Sequence, residues 1–295
     1  MRVTDKMIFQ NAAANAAKSR DRAQTAMDQV STGMRVVHPG DDPTVAALMV
    51  RGQQTVDRMS AISQNASRAG DEVNAADSAL QSLGDVLSRA RELTVQMGND
   101  SYSATDRAGA ATEVDGLIQQ AVTLMNANVD GRYIFGGNKD QTPPFDSAGN
   151  YSGDTAVRQV EVAPGVLEDS SVRADVAVKG TGGGVDLFAT LQSLATALRS
   201  NNGTAIRGSL TSLTTATTQV TTTLAQVGSM GDAFATAQTL AKSTSDATTK
   251  SVSNQSEADV IQSSSQLALA NSALNATLTA AAQSFSLSLV NKLGG

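Results

Sequence analysis

A stripe of residues stepping alternately three and four positions from Val45 to Met97 constrains this chain more than any other feature. It reads Val45, Leu48, Gly52, Thr55, Met59, Ile62, Ala66, Ala69, Val73, Ala76, Leu80, Leu83, Leu87, Ala90, Thr94 and Met97, and only Gly52, Thr55 and Thr94 are not apolar. A mean step of 3.5 residues keeps one face of a helix turned towards a partner helix over its whole length. At ~1.5 Å per residue the rod is roughly 80 Å long. Asp42 precedes it, placed to cap the free amides of the first turn, and Pro43 falls where a missing N–H costs nothing. Gly98-Asn99 ends it. A chain with such an element must supply long partner helices.

The partners are thinner versions of the same pattern. Phe9, Ala13, Ala16, Arg20, Ala23, Met27 and Val30 form a seam in the first thirty residues, closed by Gly33 as a left-handed cap. Arg20 within it marks either one half of an intersubunit pair or a face displaced by one step. Ser103 or Thr105 caps a third helix carrying Ala110, Val114, Leu117, Ala121 and Leu124 on one side. Asp186 caps another, with Leu187, Leu191, Leu194 and Leu198 in register, stopped at Asn201-Asn202-Gly203. Ile206, Leu210, Leu213, Thr217, Val220, Leu224, Val227 and Phe234 continue the helical pattern, and the last stretch carries Val260, Leu267, Leu274, Leu278, Ala281, Phe285 and Leu289.

Between Asp130 and Asp186 the period changes. "RYIFGG", "VRQVEVAPGV" and "VRADVAVKG" cluster or alternate β-branched residues between breakers and read as short strands. The expected fold class is therefore mainly α: a long antiparallel helical bundle or coiled coil formed by the N- and C-terminal regions, with a small β-rich inserted domain. The expected boundaries are an N-terminal helix and arm over 1–40, bundle halves over 41–130 and 187–254 flanking a β insert over 131–186, and a C-terminal helix over 255–295.

The seams differ in what they can bury. A buried Leu contributes about 1.5–3 kcal/mol and an Ala far less. The first thirty residues offer mainly Ala and Met, and Ser and Thr interrupt the last fifty. Helices with so little to bury are marginal alone in water. Both ends are therefore expected to be loosely ordered in the monomer and to become firm against neighbouring copies.

Chemistry is sparse. With no Cys and a single His, His38, thiol catalysis, disulfides and the usual zinc sites have no donors. "KGTGGGVD" (179–186) lacks the spacing and the Lys-Ser/Thr of a phosphate loop. Asp41-Asp42 is explained at least in part by capping, His38 by a loop, and Met27, Met59 and Met97 by core filling. No acid–base constellation stands out, so no cofactor, no metal and no catalytic residue is expected. A net charge of −6 with both signs dispersed points away from nucleic acid, and no apolar run approaches the ~18 residues of a membrane span. The charged start has no signal-peptide core.

Three stretches carry a resemblance. "QVSTGMRVVHPGDDPTVAA" (29–47) is similar to the N-terminal motif of the flagellin-like family of flagellar axial proteins. "NVDGRYIFGGNKDQTPPF" (128–145) closely resembles the G-R-Y-(L/I)-F-G-G signature of that family's hook-associated members, which join hook to filament. "SEADVIQSSSQLALANSALNATLTAAAQSFSLSLVNKL" (256–293) is similar to the family's C-terminal helix. Gly40, where Ser is common, and Ser288, within the closing leucine run, depart from the pattern.

The resemblance implies an extracellular structural protein of the bacterial flagellum, needed for motility and exported unfolded through the flagellar type III apparatus without a cleaved signal peptide. It implies a homo-oligomer in a helical or ring lattice, another hook-associated protein on the hook side, flagellin on the filament side and an export chaperone before assembly. The terminal helices would line a tube, with Phe9, Met27, Val30, Leu267, Leu274, Leu278, Phe285 and Leu289 as the assembly seam. The central helices would form the next layer, and the β insert would face outwards. Gly131, Arg132, Tyr133, Phe135, Gly136, Gly137 and Phe145 would form the junction between insert and bundle. Its rings are either a plug anchoring the insert or the insert's own core. A flagellin filament subunit is the nearest alternative, a coiled-coil signalling rod a more distant one, and an enzyme the most distant.

Overall fold

The computed structural model describes the backbone of residues 2–293 and the side chains of Met7 and residues 10–283. In chain order the elements are α1 (Arg2–Thr32), α2 (Pro43–Met97), α3 (Ala104–Met125), β1 (Asn128–Val129), β2 (Arg132–Tyr133), β3 (Gln159–Ala163), β4 (Val166–Asp169), α4 (Ala174–Lys179), α5 (Leu187–Arg199), α6 (Gly203–Ser256) and α7 (Val260–Leu293). The protein is mainly α, with β1–β2 and β3–β4 as two separate antiparallel pairs. It divides into one unit of residues 59–243 and another of residues 1–58 and 244–295, the divisions falling inside α2 and α6.

The unit of residues 59–243 holds one large apolar core and a small separate cluster of Met59, Ile62 and Ala241. Along α2 the stripe from Ala66 to Met97 is buried, and from Ala79 onward a second row, Ala79, Val86 and Leu93, is buried beside it. One stripe suffices for a single partner; two rows bury when α3 and α5 add further apolar faces to the same cluster. Leu80, Leu83, Leu87, Leu191, Leu194 and Leu198 are fully enclosed. At about 1.5–3 kcal/mol for each such side chain, this unit has the means to stand alone. Small residues let α2 and α6 approach: a Cβ on Gly231 would stand 3.7 Å from Val73, and one on Gly70 3.9 Å from Phe234.

Helix ends are closed by side chains. Ser103 and Asp106 form a reciprocal capping box at the start of α3 (3.2 and 3.0 Å), and Asp186 accepts from the Ala189 amide at 3.1 Å. At the end of α2 the buried Arg107 donates to the carbonyls of Met97 (2.9 Å) and Asn99 (3.1 Å) and to Asn201 Oδ1 (2.6 Å), answering carbonyls that have no partner within the helix.

One expected strand is a helix instead. Residues 174–179 of "VRADVAVKG" form α4, burying Ala174, Ala177 and Val178 at positions i, i+3 and i+4. Gly180, at φ +75°, closes it in the left-handed conformation. The alternation of the sequence coincides with an equally good helical spacing of small residues, and packing against α5 selects the helix.

In the other unit α1 packs along α7, with Gln29 near the end of α1 meeting Ser263 near the start of α7, so the two run antiparallel. The covered face of α1 is Ala12, Ala16, Ser19, Ala23, Ala26 and Val30. It shares Ala16, Ala23 and Val30 with the expected seam, but the intervening steps fall one residue earlier. Arg20 is thereby exposed and Ser19 buried: the face is one step off, and Met27 is 53% exposed rather than core filler. The covered face of α7 is Ser263, Leu267, Ala270, Leu274, Thr277 and Ala281. Within the same unit Gly52 of α2 is buried against Val252 of α6, with no room for a Cβ.

Candidate functional site: the aromatic junction and the helix elbow

The aromatic window begins where α3 ends. Asn126 caps α3, and β1 and β2 are joined by Asp130 and Gly131, both at positive φ (51° and 83°). That pairing of positive angles matches the twist of a two-residue hairpin and explains the Asp-Gly dipeptide. The turn is held by Asn128 Oδ1, which accepts from the Gly131 amide at 2.9 Å. Past β2 the chain dives inwards: Ile134 and Phe135 are buried, and Tyr133 is half-buried. Gly136 and Gly137 are pressed against the Lys139 carbonyl and the Asp154 carboxylate, where a Cβ would collide, and Gly137 is also at φ +66°.

The rings meet the helices here. Phe145 lies 5.1 Å from Tyr151 and 5.4 Å from Phe188 of α5, centroid to centroid, both pairs tilted. Phe135, Phe145 and Phe188 belong to the same core as α2, α3, α5 and α6. The Tyr151 hydroxyl donates to the Asp154 carbonyl at 2.7 Å, with the Phe135 carbonyl at 3.2 Å. Burial, with Asp175 and Asp154 nearby, pushes that phenol up to about 12. Asn126 ties the join to the end of α3: its side-chain amide donates to the Phe145 carbonyl (2.8 Å) and accepts from the Phe145 amide (2.9 Å). A helix-capping residue thus pairs with an extended segment as a strand would. Neither Asn126 nor Phe188 stands out in the sequence, because each is explained locally by the end or start of a helix.

A polar network fastens the insert to α2 beside the rings. Arg132 Nε donates to Asp140 Oδ2 (2.7 Å), Arg158 donates to the same oxygen (3.1 Å) and to Glu72 Oε2 (2.5 Å), and Arg132 Nη1 lies 3.6 Å from Glu72 Oε1. The Gln141 amide, then Arg132, holds the Asp140 carboxyl below the usual range, and Asp140 raises the Arg132 guanidinium in turn.

The second constellation is an elbow between helices. Gly33, at φ +71°, follows α1; the Arg35 amide donates to the Ser256 carbonyl (2.7 Å) and the Ala258 amide to the Gly33 carbonyl (2.9 Å). This bridge joins the α1–α2 connection to the α6–α7 connection. Arg35 caps the end of α6 through the Gln255 carbonyl (2.8 Å) and reaches Asp42 Oδ2 at 3.2 Å. Asp42 Oδ1 accepts from the Val45 amide at 3.1 Å, the bond that chiefly lowers its pKa, and Pro43 opens α2. Asp41 Oδ2 gathers the amides of Val37 (3.1 Å) and His38 (2.8 Å), so the paired acids hold the arm and the helix start separately. Asp259 caps α7 through the amides of Ile261 and Gln262.

Of the expected assembly seam, Val30, Leu267 and Leu274 are half-buried between α1 and α7, while Met27 and Leu278 are each 53% exposed. The side chains of Phe9, Phe285 and Leu289 lie outside the described residues. Among the described residues no group of three metal-ligating side chains occurs, and no helix is long and apolar enough to cross a membrane.

Comparison with known proteins adds a family. The bacterial flagellin N-terminal helical region matches residues 3–140. The chain is 30% identical over 212 residues to flagellar hook-associated protein 3 of Escherichia coli, covering 68% of this chain and 67% of that protein. It is 32% identical over 162 residues to flagellar hook-associated protein 3 of Salmonella typhimurium, covering 54% of this chain and about half (51%) of that protein. The crystal structure of Bacillus cereus FlgL shares the fold, with a TM-score of 0.61 at 21% identity, covering 69% of this chain and 99% of that one.

Proposed function

The chain belongs to the flagellar hook-associated protein 3 family, and from that premise we propose that it is an extracellular axial protein joining hook to filament, built to polymerise through α1 and α7. The observation that carries this reading is a helix pair that leaves large apolar groups uncovered. Ala12, Ala16, Ser19, Ala23 and Ala26 face α7, and only Val30, Leu267 and Leu274 join them as large apolar groups among the described residues, while Met7, Met27, Ile261, Leu269 and Leu278 face outwards at 53–85% exposure. A soluble helix hairpin places its large apolar groups inside; one that leaves several of them outside is completed by other molecules. Copies of the same chain are the first candidates, with another hook-associated protein below and flagellin above. A chaperone covering the same side chains would keep the chain soluble before export.

In this reading the aromatic junction and its arginine network transmit load. They bind the β-rich insert rigidly to the helical core, so that the insert can serve as an outer layer while the helices stack lengthwise. The elbow, held by backbone bonds and Arg35, sets the path of the chain between the helices that pair in the monomer and those of the core.

Gold labelling of this protein on isolated flagella, viewed by electron microscopy, tests the reading. Label confined to the base of the filament is expected. Label along the whole filament would instead establish the second reading, a flagellin subunit, which the match to the flagellin N-terminal region favours. Removing residues 256–295 should leave a folded, soluble core that no longer assembles, and cells carrying it should shed flagellin; normal filaments in such cells would overturn both readings.

A further inference from the structure

Beside the arginine network a cleft of about 440 Å³ opens between α2 and the β3–β4 hairpin, lined by Arg68, Glu72, Arg132, Arg158, Gln159 and Ser170 among others. Its outer charges are cationic. The acids lie inside: the side chains of Glu72 and Asp140 are only 15% and 11% exposed, and each bridges Arg132 and Arg158. Arg158 lies as deep as they do, at 14%, whereas the Arg132 side chain, 45% exposed, lies towards the mouth. Arg68, one turn before Glu72 on α2, is exposed and makes no hydrogen bond or ion pair among the described residues. Three guanidinium groups thus face two carboxylates, leaving one positive charge unanswered. Asp169, on β4, bonds the Gln159 amide and lines a separate cleft.

The two buried acids fix the guanidinium planes of Arg132 and Arg158 while using only some of the five N–H donors that each carries. A preorganised pair of forks with a free third cation at its rim is the geometry that receives a carboxylate.

We propose that this cleft receives a carboxylate side chain from a neighbouring copy of the chain; the inference rests on the axial reading above and extends it to a contact made outside α1 and α7. The argument for a second copy is charge. Each molecule carries a net −6, so copies brought together repel unless cationic positions meet carboxylates at their contacts, and a neighbouring copy brings that surplus of acids with it. The cleft supplies an outward-facing positive charge on an acidic protein.

Sedimentation velocity of the purified full chain over a range of concentrations tests this, using wild type, Arg68→Lys and Arg68→Glu, with circular dichroism confirming that each variant is folded. At low salt wild type and Arg68→Lys should associate alike, and Arg68→Glu about tenfold or more weakly. At about 0.5 M salt the difference should shrink as the charges are screened. Equal association of Arg68→Glu, or a wild type monomeric at every concentration, overturns the proposal. So does citrate that titrates the Arg68 and Arg132 side-chain resonances while leaving association unchanged, since the cleft would then take free anions. Junction labelling with unchanged Arg68→Glu association sinks the cleft and leaves the axial reading; absence of junction labelling sinks the axial reading by itself.

Discussion

Replacing Asn126 by Ala should loosen the aromatic junction selectively. The substitution removes two neutral hydrogen bonds, of 2.8 and 2.9 Å, and leaves the amide and carbonyl of Phe145 without partners at a residue that is 2% exposed. Each buried group left unsatisfied costs about 1–3 kcal/mol. Asn126 is itself half-buried and admits some water, which places the pair towards the lower end, at about 3 kcal/mol. At 1.4 kcal/mol per decade, protection of the Phe145 amide against hydrogen exchange should fall on the order of a hundredfold. Amides in the middle of α5 should change much less, because Leu191, Leu194 and Leu198 keep their enclosure. Asn126→Asp supplies a sign test. Its carboxylate still accepts from the Phe145 amide but faces the Phe145 carbonyl with another acceptor, so the variant should gain stability as pH falls through about 4 and the carboxyl regains a donor. A loss below about 1 kcal/mol in Asn126→Ala, with Phe145 exchange unchanged, would refute the clamp.

Gly149→Ala should cost about 2 kcal/mol or more, because φ is +78° and the new methyl would collide with the Phe188 ring, whereas Gly165→Ala, at φ +79° in open space, should cost only about 1 kcal/mol of backbone strain; paired thermal melts separate the two. Arg107→Met should cost about 2–4 kcal/mol in urea unfolding, since the carbonyls of Met97 and Asn99 lose a charged donor at a buried helix end. The carboxyl of Asp140 is lowered by Gln141 and Arg132, so its stabilisation is present above the unfolded value near pH 4 and is lost as pH falls through the lower folded value; Asp140→Asn should flatten that acid limb. Tyr151 acts at the other extreme: the folded phenol keeps its proton to about 12 while the unfolded one ionises near 10, so stability is lost as pH rises across that window, and Tyr151→Phe should remove this dependence.

What the sequence discloses depends on how much phase its side chains carry. The α2 stripe is legible because Leu, Ile, Val and Met recur at one spacing between charged residues, so period and face are both determined. In α1 the run "NAAANAAK" offers alanine on every side. Periodicity then establishes a helix but not its orientation, and only the burial of Ser19 in place of Arg20 resolves it. The Asp-Gly turn, the capping acids and the buried rings are local signals and could be read as such. The Asn126–Phe145 clamp joins residues nineteen positions apart through a residue type common at helix ends, and Glu72 meets Arg158 across 86 positions. Such pairings exist only once the chain has folded. The α4 segment fails for another reason: six residues satisfy both a two-residue and a 3.6-residue period, and the neighbouring α5 decides between them.

The two units differ in how much large apolar area their described residues enclose, and this bears on the proposed assembly. In residues 59–243 the four phenylalanines and most leucines are enclosed, although Leu167 and Leu240 are exposed, and largely buried ion pairs join helix to insert, so that part of the chain holds its shape before any partner arrives. Between α1 and α7 the covered groups are mostly Ala, Ser and Thr, which permit close approach of the helices but remove little apolar area from water. The exposed Met7, Met27, Leu269 and Leu278 supply area that the proposed contact with another molecule would bury. A polymer subunit gains from that division. If the terminal helices were stapled by their own large residues, the free energy of docking onto neighbours would already be spent within the monomer. In the proposed axial role, the area left uncovered on α1 and α7 stays available for docking, while the core and its junction hold the insert in place.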